Sequence, residues 1–171
     1  SALPSGLRVR SLGEALRDGV PQSALLRVPA GGGTERFAAL NVALCADTLV
    51  VDIEERAAPE EPLHLVLVSA GAEARMAHPR VLIRAARAST ARIILHHAGD
   101  DAAEQFVNSF VEVEVASEAK LHLYRLQAAG TRSFLIERIE ATLGPRAGFL
   151  MHDAELDASL SRLDLNVRLA A

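Results

Sequence analysis

Between Thr48 and Leu169 the chain repeats one kind of segment: PLHLVLV, RVLIRA, ARIILHH, SFVEVEV, LHLYRLQ, SFLIERIEATL, GFLMHDAEL and SRLDLNVRL. Each alternates apolar and polar residues with period two, the pattern of a half-buried strand. Roughly nine short strands are predicted, starting near Leu63, Val81, Arg92, Phe110, Leu121, Phe134, Phe149 and Leu163. Every second start, taken as Leu63, Arg92, Leu121 and Phe149, gives steps of about 29 residues, and the interleaved set does the same with one shorter step. The breaks EERAAPEEP, SAGAEARMAHP, HAGDDAAE, ASEAK, QAAGTR and LGPRAG carry Gly, Pro, Ala and acidic residues. None of them supplies the Asn-Gly or Asp-Gly pair of a two-residue hairpin, so an antiparallel meander is disfavoured.

A solenoid with two strands per coil explains both the period and the repetition. In a parallel β-helix every coil covers the inward side chains of the one below, so every coil needs the same strand. Leu63, Leu65, Leu67, Leu121 and Leu123 are predicted inward, and His64, Val66 and His122 outward. In LHLYRLQ the apolar Leu121, Leu123 and Leu126 are set against the polar His122, Arg125 and Gln127. A β-sandwich is the alternative that the pattern leaves open.

The first 46 residues differ and form an N-terminal portion with short helices, residues 47–171 being the β-helix core. Ser11 and Glu14 have capping-box spacing, and Leu12, Ala15 and Leu16 mark one face of a helix ended by Gly19 and Pro21. Ser23–Pro29 is predicted as a strand and Gly31–Gly33 as a loop; no Gly-Lys-Ser/Thr follows, so the glycines are not a phosphate loop. A second helix is predicted over Thr34–Cys45, with Thr34 as N-cap and Phe37, Leu40 and Leu44 on its apolar face.

The 171 residues suffice for one domain with a sizeable core, which with 4% aromatics and no Trp must be built from Leu, Val, Ile and Ala. The net charge of −4 gives no electrostatic reason for nucleic acid or anionic membrane as a partner. There is no apolar run of membrane-spanning length and no signal-peptide core in SALPSGLRVR. Cys45 is the single cysteine, which excludes an internal disulfide and agrees with a reducing cytoplasm.

Five stretches carry a family resemblance: RFAALNVAL (36–44), HPRVLIRA (78–85), FVNSFVEVEV (106–115), KLHLYRLQ (120–127) and RLDLNVRLA (162–170). In order and spacing the set resembles the SufB/SufD family of iron–sulfur cluster assembly proteins, SufD more than SufB. The resemblance implies a mainly β, right-handed parallel β-helix in a complex with a SufB-like subunit and a SufC-like ATPase. It also implies that a cluster belongs to the assembled complex, with no cofactor bound by this chain alone. Because family members carry helical segments on both sides, the chain is expected to be truncated inside a continuing β-helix. The family's cluster-related positions are expected to lie mainly beyond Ala171, so none is carried over. The uncovered last coil, with Leu160, Leu163, Leu165 and Val167, invites a homodimer.

The residues that could carry chemistry have plainer readings. One thiolate cannot hold a cluster, and Cys45 among Leu44, Ala46 and Leu49 is expected in the core. His96 and His97 are adjacent and must face opposite sides of a strand; His64, His122 and His152 could share one outer face. Arg80, Arg84, Arg87 and Arg92 are expected to balance the acidic stretch Glu54–Glu61. Asp100, Asp101 and Glu104, and Asp153, Glu155 and Asp157, would be the carboxylates of a polysaccharide-cleaving β-helix, but stacking aromatics are scarce; Asp153, Glu155 and Asp157 are predicted on the outward face. No catalytic residue and no metal ligand set is assigned. The expectation is a non-enzymatic scaffold, with a carbohydrate-active or carbohydrate-binding β-helix as the alternative and a histidine-based metal-binding stress protein as a third reading.

Overall fold

The computed structural model describes residues 3–21 and 36–170. The strand over Ser23–Pro29, the Gly31–Gly33 loop and the Thr34 cap lie outside the described residues. The rest is a mainly β solenoid of about four turns with two short helices. Its elements run β1 (Leu7–Ser11), α1 (Leu12–Arg17), α2 (Arg36–Leu44), β2 (Thr48–Ile53), β3 (Leu63–Ser69), β4 (Arg75–Ala77), β5 (Arg80–Ala85) and β6 (Thr90–Gly99). They continue with β7 (Gln105–Val115), β8 (Lys120–Ala128), β9 (Ser133–Leu143), β10 (Gly148–Asp157) and β11 (Leu160–Leu169).

Two sheets face each other. One has the order β1-β2-β5-β7-β9-β11, with β4 also paired to β7, and the other the order β3-β6-β8-β10. From β2 and β3 onward every pairing is parallel, so the chain climbs one coil per pair of strands. In the first sheet, register partners run from Thr48 to Arg80, Phe110, Arg138 and Asp164, steps of 32, 30, 28 and 26 residues. The coils therefore shorten along the axis. The shorter interleaved step of the sequence reading came from comparing positions out of register: Phe110 pairs with Arg138, and Phe134 with Phe106.

One corner of the coil is a stack of four turns. Ala57 N–H donates to the Glu54 carbonyl (3.1 Å), Ser89 to Ala86 (3.2 Å), Ala119 to Ala116 (3.1 Å) and Ala147 to Gly144 (3.1 Å). In each turn the third residue is left-handed: Arg56 (φ 59°), Ala88 (56°), Glu118 (65°) and Arg146 (59°). Successive turns are hydrogen-bonded, Ala88 N–H to the Ser117 carbonyl (3.1 Å) and Glu118 N–H to that of Pro145 (3.0 Å). Charges alternate up the stack, Arg87 lying between Glu55 (3.8 Å) and Glu118 (3.5 Å).

The N-terminal end of the solenoid is closed by elements outside the repeat. β1 pairs antiparallel with β2, a strand the sequence reading missed. Ser11 ends β1 and caps α1, whose capping box with Glu14 is present as predicted. Ala15 packs with Val50 and Leu82, so β2 and β5 are covered on their outer face too. The second helix buries Ala38 and Asn41, whereas Phe37, Leu40 and Leu44 are exposed; the predicted apolar face is the wrong one. The reason is polar: Asn41 Nδ2 donates to the carbonyls of Pro79 (2.9 Å) and Asn108 (2.7 Å), and Asn108 Nδ2 to that of Phe37 (2.8 Å).

Leu63, Leu65, Leu121 and Leu123 are inward and buried, His64 and Val66 outward and exposed, as predicted. The main core joins them to Val51, Ile53, Val81, Ile83, Ile93, Leu95, Val111, Val113 and Ile139.

Candidate functional site

The alternation that puts Leu121 and Leu123 inside does not stop there. Two residues further along β8 it points Arg125 inward, 1% exposed, and then Gln127, which is fully buried. The expectation that Arg125 and Gln127 lie with His122 on the polar side is thus wrong, because strand geometry decides the face whatever the side chain. On β9 the same rule buries Glu137, and on β6 it buries His97.

These side chains meet. Glu137 Oε1 accepts from Ser109 Oγ on β7 (2.7 Å) and lies 2.8 Å from His97 Nε2, while its Oε2 pairs with Arg125 Nε. Arg125 Nη1 reaches on to Asp153 Oδ1 (2.6 Å) and Glu155 Oε1 (3.0 Å) of β10, and Ser161 Oγ of β11 donates to Glu155 Oε1 (2.6 Å). Asp153 and Glu155 are therefore on the inward row, in register with Arg125 and Gln127, not on the outward face as predicted. Asp157 leaves that row: Gly130 N–H donates to its Oδ1 (3.1 Å). The network links six successive strands, from β6 to β11.

Burial opposes charge on Glu137, but the facing His97 and Arg125 outweigh it and hold the carboxyl down to about 2. Arg125 is likewise opposed by burial, and Glu137 and Asp153 raise it above its ordinary value. One end of the network opens on solvent through the part-exposed Asp153 and Glu155. At the other, His97 lines a cavity of about 460 Å³ with Leu67, Val68, Met76, Ala98 and Leu135. Ser109 and His97 both bind the same carboxylate oxygen, an arrangement that fixes the carboxylate and aims the serine hydroxyl at it.

The other predicted residues are dispersed. His96 faces outward and His97 inward, as their adjacency required, and His64, His96, His122 and His152 all project from the outer face of the β3-β6-β8-β10 sheet. His152 stacks on Tyr124, ring centroids 5.1 Å apart. Cys45 is half-buried just past α2, its Sγ 3.6 Å from the Val42 carbonyl, and belongs to neither core cluster, contrary to the core expectation. Arg80 pairs with Glu112 (2.5 Å) and lies 4.5 Å over the Phe110 ring, and Arg84 pairs with Asp52 (2.6 Å). Charge is balanced, largely by partners other than the Glu54–Glu61 stretch. Asp100 and Asp101 cap turns, accepting from Ala102 N–H (3.0 Å) and Thr131 N–H (2.6 Å). Asp153 and Glu155 are both held by Arg125.

No curated protein matches the chain. The model of a family described as "SUF system FeS cluster assembly, SufBD core domain" matches residues 67–171, more than half of the sequence. The match begins within β3 and takes in β4 to β11, and with them every residue of the buried ion network. Four of the five resembling stretches fall inside it, RFAALNVAL being outside. A parallel solenoid matched in this way over most of its coils belongs to the SufBD core family of iron–sulfur cluster assembly proteins.

Proposed function

We propose that the chain is a non-catalytic scaffold subunit of a SufBCD-type complex, SufD-like in role, working in the cytoplasm. Its partners are a SufB-like subunit and a SufC-like ATPase, and the iron–sulfur cluster is cargo of the assembled complex. Membership of the SufBD core family over residues 67–171 carries this reading. The interior supports it, since His97, Ser109, Arg125 and Glu137 are engaged with one another in a way suited to rigidity. Among the described residues no helix is long and apolar enough to cross a membrane.

The test is co-expression with a SufB-like and a SufC-like protein, followed by purification through a tag on this chain. A stoichiometric complex is expected. Purification of the chain without either partner would refute the assignment.

A further inference from the structure

We propose that His64 and His96 form an exchangeable site for a borderline divalent transition ion of the zinc, nickel or copper kind, on the outer face of the β3-β6-β8-β10 sheet. His64 Nε2 and His96 Nδ1 are 3.3 Å apart, in rings 9° from parallel with centroids 5.5 Å apart. Two imidazoles bound to one tetrahedral ion at 2.0–2.1 Å have their nitrogens about 3.3–3.4 Å apart. The two nitrogens, now joined by a hydrogen bond, already have the separation of a chelate, and an ion would replace the shared proton.

The placement follows from the coil. β3 and β6 are parallel neighbours, with His64 in register with Ile94 and His96 with Val66. The two histidines are thus diagonal neighbours on one face, flanked by an apolar residue on each strand. His64 is exposed and His96 half-buried, so an ion reaches them from solvent. Neutral imidazole suits ions of this class, whereas oxygen-seeking magnesium and calcium are poorly served. Among the described residues no group of three or more His, Cys, Asp and Glu side chains could hold a metal ion. Water therefore fills the remaining positions, which keeps the ion exchangeable and open to an incoming donor. The site is separate from the buried ion network, whose histidine, His97, faces the interior.

Isothermal titration of the full chain with zinc and with nickel tests the proposal, using wild type, His64→Gln, His96→Gln and His122→Gln. His122 lies on the same outer face but outside the pair, and so reports any non-specific surface histidine. One ion per chain is expected for wild type and His122→Gln, with at least about tenfold weaker binding in each of the other two. Unfolding midpoints without metal are measured in parallel and should match across the variants. In the ¹⁵N spectrum of the imidazoles, zinc should move His64 Nε2 and His96 Nδ1 foremost. Unchanged affinity in both pair variants, or an equal loss in His122→Gln, would overturn the assignment.

Discussion

Replacing Arg125 by methionine tests how far the solenoid depends on its buried ions. Arg125 and Glu137 side chains are both fully buried, and the substitution leaves Glu137 ionised with only His97 and Ser109 beside it. Stranding one member of a buried ion pair costs roughly 3–5 kcal/mol. Proton linkage gives an upper figure, since His97 first and Arg125 second hold the Glu137 carboxyl down together. Glu137 is held to about 2 against 4.5 for an ordinary glutamate, a gap worth about 3 kcal/mol. Because the folded-state value is the lower one, this contribution is complete above about pH 4.5 and drains away as pH falls toward 2.

The pH dependence separates charge from packing. In Arg125→Met the cation is gone and burial pulls the Glu137 carboxyl upward, so the variant should recover part of its deficit between pH 7 and pH 4.5, as Glu137 takes up a proton. Arg125→Met combined with Glu137→Gln should be more stable than Arg125→Met alone at pH 7, since no buried charge is then unpaired. Urea unfolding followed by circular dichroism at the two pH values gives all the terms. A loss below about 1 kcal/mol in Arg125→Met, or a double variant as unstable as the summed singles, would refute the argument.

Three further substitutions probe the coil. Leu123 is fully buried between Ile93 and Met151 in register, so Leu123→Asp should lower stability by several kcal/mol, read as a fall in the urea midpoint. Ala88→Gly should raise the thermal midpoint, by up to about 1 kcal/mol in stability, because alanine holds a left-handed conformation that glycine adopts freely. Gly99→Ala should do the reverse by about 1–3 kcal/mol: an added Cβ would stand 2.3 Å from the Ala129 carbonyl oxygen and 2.7 Å from that of Ser69. A neutral result there would mean that the coils separate more readily than this packing implies.

The architecture was legible because a parallel solenoid imposes its period on the sequence. Leu63, Ile93, Leu123 and Met151 occupy one interior column, and that recurrence is visible without coordinates. What was illegible had no such recurrence. β1 is five residues that pair only once, outside the repeat. The left-handed turn positions are held by Arg, Ala and Glu, so no glycine or asparagine announced them; the hydrogen bonds between stacked turns impose the conformation instead. The α2 face was misread because its anchor is an asparagine, and hydrophobic spacing cannot report a side chain buried for its amide.

The ion network was missed for a related reason, and its position explains why it is tolerated. Each inward row starts apolar in the β3-β6-β8-β10 sheet and turns polar: Ile93 and Leu95 precede His97, Leu123 precedes Arg125 and Gln127, and Met151 precedes Asp153 and Glu155. The facing strands run the other way, Ser109 and Glu137 coming before Val111 and Ile139. Since the two sheets join at the corners of the coil, the apolar halves meet beside the stacked four-residue turns and the polar halves at the opposite corner. There the connections shrink from residues 100–104 to 129–132 and then to 158–159, which accounts for the shortening coils. Had LHLYRLQ been read by strict alternation from Leu121, with residue type ignored, Arg125 and Gln127 would have fallen inside. A charge on the inward row then demands a partner one coil above or below, and Glu137, Asp153 and Glu155 answer that demand.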